Sequence, residues 1–132
     1  METPDFSAII HTYFRCLEKA DLKGVLELFT SDGIIYSPVY GVKEIEPFYR
    51  GLFEDTDTSE IEVRAIMANL DDPQHLAARF SYKWKRKNKE AVIFEGVDLF
   101  SCTKEGKFKK LEIIYDTSVL NKIFCILFYT VN

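Results

Sequence analysis

The apolar pattern of this chain changes period once, near residue 55, and that change dictates a helical half followed by a sheet half. Before it, Phe6, Ile9, Ile10, Tyr13, Phe14 and Leu17 recur at helical spacing, with Arg15, Glu18 and Lys19 on the other face. Such a stripe predicts an amphipathic helix, with Thr3 as its N-cap and Pro4 as its first helical residue. Asp21 is placed to cap a short second helix carrying Leu22, Val25, Leu26 and Phe29, which stops at a polar turn over 30–33. Residues 34–37 read as a short strand ended by Pro38. A third helix follows Gly41, with Ile45, Phe48, Tyr49, Leu52 and Phe53 on one stripe. Pro47 falls in its first turn, where a missing N–H costs little.

After the polar stretch 54–59 the period is two. Ile61, Val63, Ala65 and Met67 alternate with Glu60, Glu62 and Arg64; Phe80, Tyr82 and Trp84 alternate with Ser81, Lys83 and Lys85. Asp71, Asp72 and Pro73 mark a turn, and the basic run 86–89 reads as a solvated hairpin tip that keeps a sheet edge soluble. Strands over 92–102 and 109–117, joined by a turn around Gly106, complete a four-stranded antiparallel meander. Helices followed by a meander predict an α+β domain. The whole chain, 1–132, reads as one domain without repeat or linker, and its apolar end, 119–132, as an extra strand or a subunit contact.

Composition narrows the partners. Hydrophobic residues make up 47% and aromatic residues 14% of the chain, enough for a thick core or a ring-lined pocket. A net charge of -4 argues against nucleic acid as a partner. No apolar run has the length of a membrane span, and the acidic, polar first six residues do not read as a secretory leader. Cys16, Cys102 and Cys125 lack metal-ligand spacing and read as reduced thiols of a cytoplasmic protein. No metal or nucleotide motif is present, so neither metal nor cofactor is expected. His11 and His75, both expected at the surface, offer no triad.

One residue stands out chemically. Asp98 shares its strand parity with Val92, Phe94, Gly96 and Phe100, so a carboxyl projects from the apolar face of the sheet. An acid in that company is either protonated or held by donors, and Tyr13, on the apolar face of the first helix, is a suitable partner. Two roles are open for the pair: a structural hydrogen bond inside the core, or a site that hydrogen-bonds a ligand oxygen gaining negative charge. Asp116 has the opposite parity to Tyr115 and is expected to face away from the site. Ile93, Val97 and Leu99 are apolar on the face opposite Asp98, which predicts that this outer face is covered, by a second copy in a homodimer.

The stretch YFRCLEKADLKGVLELFTSDGIIYSPVYG (13–41) resembles the opening of ketosteroid isomerase and of the wider nuclear transport factor 2-like superfamily, to which the SnoaL-type polyketide cyclases belong. EPFYRGLF (46–53) is similar to the third helix of that group, and GVDLFSCTKEGKFKKLEIIY (96–115) to its acid-bearing strand, glycine turn and final strand. The resemblance spans 5–118 and implies a cone-shaped curved antiparallel sheet wrapped around three N-terminal helices, a cystatin-like architecture that often dimerises through its outer face. By resemblance, Tyr13 and Asp98 take the positions of the two oxyanion-binding residues of the isomerase. The position of its proton-shuttling aspartate is Ser37, directly before Pro38. A serine hydroxyl is too weak an acid–base group to move a carbon-bound proton unaided, which speaks against steroid isomerisation itself.

The expectation is therefore a SnoaL-like protein that binds a small apolar molecule with a carbonyl or phenol oxygen. Tyr13 and Asp98 would hold the oxygen, and Tyr36, Ser37, Phe53, Phe80, Tyr82, Trp84, Phe100 and Tyr115 would form the wall. If catalytic, it would be an isomerase, cyclase or lyase acting through an enolate-like intermediate. The alternative is a non-catalytic interaction domain that recruits a protein through its outer sheet face.

Overall fold

The computed structural model describes residues 3–37 and 41–115. Helix α1 spans Phe6–Lys19 and buries Ile10, Tyr13, Phe14, Cys16 and Leu17, the stripe read from the sequence. Its N-cap is Asp5 rather than Thr3: the Asp5 side chain accepts from the Ala8 N–H at 3.0 Å. A carboxylate there satisfies one of the helix's open N–H groups, which proline at position 4 leaves unchanged. Helix α2, Leu22–Glu27, is capped by Asp21 as expected, with the Gly24 N–H donating to its carboxylate at 2.9 Å.

The polar segment 30–33 does not form a turn. Strand β1 runs through it, Phe29–Ser37, and β2 follows at Gly41–Glu44 before α3, Ile45–Asp55. The remaining strands are β3 Thr56–Ala68, β4 His75–Arg86, β5 Val92–Cys102 and β6 Phe108–Tyr115. Together they make one six-stranded sheet in the order β2-β1-β6-β5-β4-β3. All its neighbours are antiparallel except β1 and β6, which pair in parallel from Phe29↔Phe108 to Tyr36↔Glu112. The expected meander is thus β3 to β6, extended by β1 and β2 from the helical half.

Strand parity separates two faces. Ala78, Phe80, Tyr82 and Trp84 of β4, Gly96, Asp98 and Phe100 of β5, and Leu111 of β6 are buried toward the helices. Tyr36, Met67, Ile93, Leu99 and Ile114 are exposed on the other face. In β3 the register slips between Val63 and Ala65, so Ile66 turns inward and Met67 outward. A bulge adds one residue to one strand and reverses the parity beyond it, which strict alternation does not anticipate. The open edge of β3 is covered in part by α1, whose Glu18 carboxylate accepts from the Ile61 N–H at 2.9 Å. Between β5 and β6 the chain reverses at Gly106, whose φ of 95° favours a residue without Cβ. Among the described residues no helix is long and apolar enough to cross a membrane.

Candidate functional site

Asp98 sits in mid-β5, between Ala78 of β4 and Ile113 of β6, and is 3% exposed. Its Oδ1 is buried without a hydrogen-bond partner. A carboxylate so placed loses its hydration with nothing in return, so burial holds the Asp98 carboxyl well above the usual carboxyl range. Burial therefore favours the neutral acid, which can donate one hydrogen bond.

Three phenols surround this acid electrostatically. Tyr13 of α1 and Tyr49 of α3 share a hydrogen bond of 2.5 Å between their hydroxyl oxygens, and Tyr82 of β4 shares one of 2.8 Å with Ser59 of β3. Burial, reinforced by Tyr49 and then by Asp98, raises the Tyr13 phenol well above its ordinary value. Burial likewise raises Tyr49, and pushes Tyr82 up to about 12, in each case with a further contribution from Asp98. A charge on any one of these groups is resisted by the others. The three phenols are thus protonated at neutral pH, burial favours the neutral form of Asp98 beside them, and each of these groups can donate one hydrogen bond. The Tyr13 ring is fixed edge-on by Phe14, Phe29, Phe100 and Phe108, with centroids 5.1 to 6.4 Å away.

The other expected wall residues divide. Phe80, Tyr82, Trp84 and Phe100 are buried on the inner face; Phe53 is half-buried against Tyr49, and Tyr115 half-buried against Phe94. Ser37 is 4% exposed at the end of β1. Carrying the β1–β6 register one residue further places it beside Ile113, the cross-strand partner of Asp98. Tyr36 is a correction: it is 42% exposed on the outer face, with the Lys110 ammonium 5.9 Å from its ring centre, and lines no inner pocket. Adjacent residues of a strand face opposite ways, so Tyr36 and Ser37 could not both be wall.

Nothing in the sequence marks Tyr49, Ser59 or Phe94 as site residues. Tyr49 lay on the predicted α3 stripe, but a stripe shows that a side chain is inward and not which hydroxyl it meets. Phe94 stacks on Tyr82 with ring centres 5.1 Å apart, a cross-strand pair set by the β4–β5 register. Arg86 is a second correction: placed at a solvated tip by the sequence, it is 7% exposed at the end of β4. His11 and His75 are exposed, as expected. Cys16 and Cys102 are buried free thiols, and Cys125, Asp116 and the apolar segment 119–132 lie outside the described residues.

A curved sheet folded over three helices, with an acid and phenols on its inner face, defines a protein of cystatin-like, nuclear transport factor 2-like architecture. The chain belongs to the SnoaL-like domain family, which matches residues 10–111. No curated protein matches it. Among solved structures it is similar to PrhC from Penicillium brasilianum, with 12% identity, TM-score 0.78, and coverage of 95% of this chain and 89% of that one. It is also similar to SalBIII, an epoxide hydrolase/cyclase-like enzyme of pyran ring formation in the polyether salinomycin, with 24% identity and TM-score 0.75 over 86% of this chain and 92% of that one. TerC, crystallised with polyporic acid, shares 14% identity and TM-score 0.74 over 89% and 95%. At these identities the likeness establishes the fold alone.

Proposed function

We propose that the protein binds a small, largely apolar molecule through a carbonyl or phenol oxygen, with Asp98 and Tyr13 as the donors. The observation that carries this reading is Asp98: a buried acid whose Oδ1 has no partner and whose neutral form is favoured by burial, near the hydrogen-bonded phenols Tyr13 and Tyr49. An internal clamp would spend the acid's hydrogen-bonding capacity on the protein. In the bound state Tyr49 donates to Tyr13, and Tyr13 donates to the ligand, so two polarised donors converge on one oxygen. If the protein turns its ligand over, the arrangement suits an isomerase, cyclase or lyase that builds charge on that oxygen. Ser37, which by resemblance takes the position of the base of ketosteroid isomerase, leaves proton removal to another group. SalBIII and TerC lend support as fold relatives associated with ring formation and with polyporic acid.

Binding of phenols of graded acidity tests the reading. Affinity should rise with phenol acidity, and Tyr13→Phe and Asp98→Asn should each weaken it about tenfold and flatten that trend. Unchanged affinity in both variants removes the proposed oxygen site.

A second reading rests on the outer face, where Met67, Ile93, Leu99 and Ile114 are exposed on a single sheet surface. It makes this face the contact of a homodimer, or of a partner protein if the inner site is only structural. The buried free thiols Cys16 and Cys102 suit a reducing, cytoplasmic setting.

A further inference from the structure

Among the described residues two ionisable side chains that are ordinarily charged are buried, Asp98 and Arg86, and they do not meet. Arg86 lies eight positions along β4 from Ala78, the cross-strand partner of Asp98, which is roughly 26 Å of extended strand. Arg86 has the inward parity of Tyr82 and Trp84 and pairs across the sheet with Thr56, where α3 passes into β3. Its guanidinium carbon stands 5.5 Å from the centre of the Trp84 ring. The indole is itself anchored, its Nε1 donating to Thr56 Oγ1 at 2.9 Å.

No carboxylate among the described residues pairs with this guanidinium. The nearby Asp57 is held by Lys85 at 2.9 Å. The ion-paired cations on this sheet, Arg64, Lys83, Lys85 and Lys110, are all at least 39% exposed along the side chain. Arg86 is the reverse, buried and without an acid. None of the Arg86 nitrogens is among the wholly buried side-chain atoms without a partner, so the edge of the guanidinium keeps contact with solvent, and its fork of donors matches a carboxylate. Stacking on indole covers one face of the guanidinium plane and leaves its edge for such a partner.

We infer that Arg86, held on the Trp84 ring, binds the carboxylate of a small apolar acid at the α3–β3 end of the inner face. The site is distinct from the oxygen site at Asp98, because a compact ligand cannot span the strand length between them. Its aromatic floor favours an apolar body behind the acid group.

Trp84 is the only tryptophan of the chain, so its fluorescence reports this position alone. Cyclohexanecarboxylate should change the Trp84 emission saturably at neutral pH, with at least tenfold higher affinity than cyclohexanecarboxamide. Arg86→Gln should abolish that preference, and Arg86→Lys should keep part of it. Equal affinity for acid and amide overturns the inference, as does full acid affinity in folded Arg86→Gln protein. If Arg86→Gln fails to fold, the acid–amide comparison in the wild type and in Arg86→Lys decides. A guanidinium that only shields the indole would lower the melting temperature of Arg86→Gln while the wild type shows no acid preference, which also overturns it. Loss of phenol binding with acid preference intact counts against the Asp98 site alone.

Discussion

Asp98 has a measurable signature in folding as well as in binding. Its carboxyl titrates near 3.8 when unfolded and well above that when folded, because burial disfavours the charged form. Between those two values the folded state holds a proton that the unfolded state has released. Stability is therefore fully present below the unfolded value and is lost as pH rises toward the folded one, by about 1.4 kcal/mol per pH unit. Asp98→Asn removes the titration. The variant should show a flatter melting temperature from pH 4 to 7 than the wild type and higher stability at pH 7; thermal melts across that range check it. Tyr13 and Tyr49 make a second pair of expectations. Either Tyr→Phe change leaves one buried hydroxyl without its 2.5 Å partner and should cost about 1–3 kcal/mol. The double variant leaves neither hydroxyl stranded, so denaturant melts should give a cost well below the sum.

Two strands carry the shape of the inner face through single residues. A Cβ on Gly96 of β5 would stand 2.7 Å from the Phe80 ring of β4 and 3.1 Å from the Ile114 carbonyl of β6. Gly96→Ala must displace a buried ring, so it should destabilise by about 1–3 kcal/mol, read from urea midpoints. In β3 the slip after Val63 makes a sharper contrast. Alternation alone puts Met67 in the core, whereas the structure turns Ile66 inward and leaves Met67 44% exposed. Ile66→Ala should therefore cost clearly more than Met67→Ala, the latter staying within about 0.5 kcal/mol of wild type. The reverse ranking in a urea series would put the slip elsewhere. No period-two reading could have located this bulge, because it depends on how β3 lies against β4 and not on the residue types of β3.

At the scale of the whole molecule, what was legible in the sequence was local. The helix stripes, the Asp21 cap, the β3–β6 meander and the inward side of Asp98 all follow from spacing within one element. The parallel pairing of β1 with β6 joins Ile35 to Leu111 across the chain, and the polar residues 30–33 gave no sign of strand. Tyr49 meets Tyr13 from a helix that packs on α2 and the sheet, and Arg86 is buried opposite Thr56 beside the α3–β3 junction; neither placement is encoded by spacing. The outer face was legible because its parity opposes Asp98. There Ile114 stands beside Val97, with Leu99 and Met67 further along the same face, an apolar surface exposed on a sheet otherwise laced with ion pairs such as Arg64–Glu95. A second copy laid on this surface would bury all four residues at once, and a two-fold axis would let the flanking opposite charges face each other. The protein should therefore scatter light as a dimer at micromolar concentration. Leu99→Lys with Ile114→Lys places four added ammonium groups in that contact, and should give a monomer with unchanged far-ultraviolet circular dichroism. A wild-type monomer under the same conditions would sink the dimer and leave this face to a partner of different sequence.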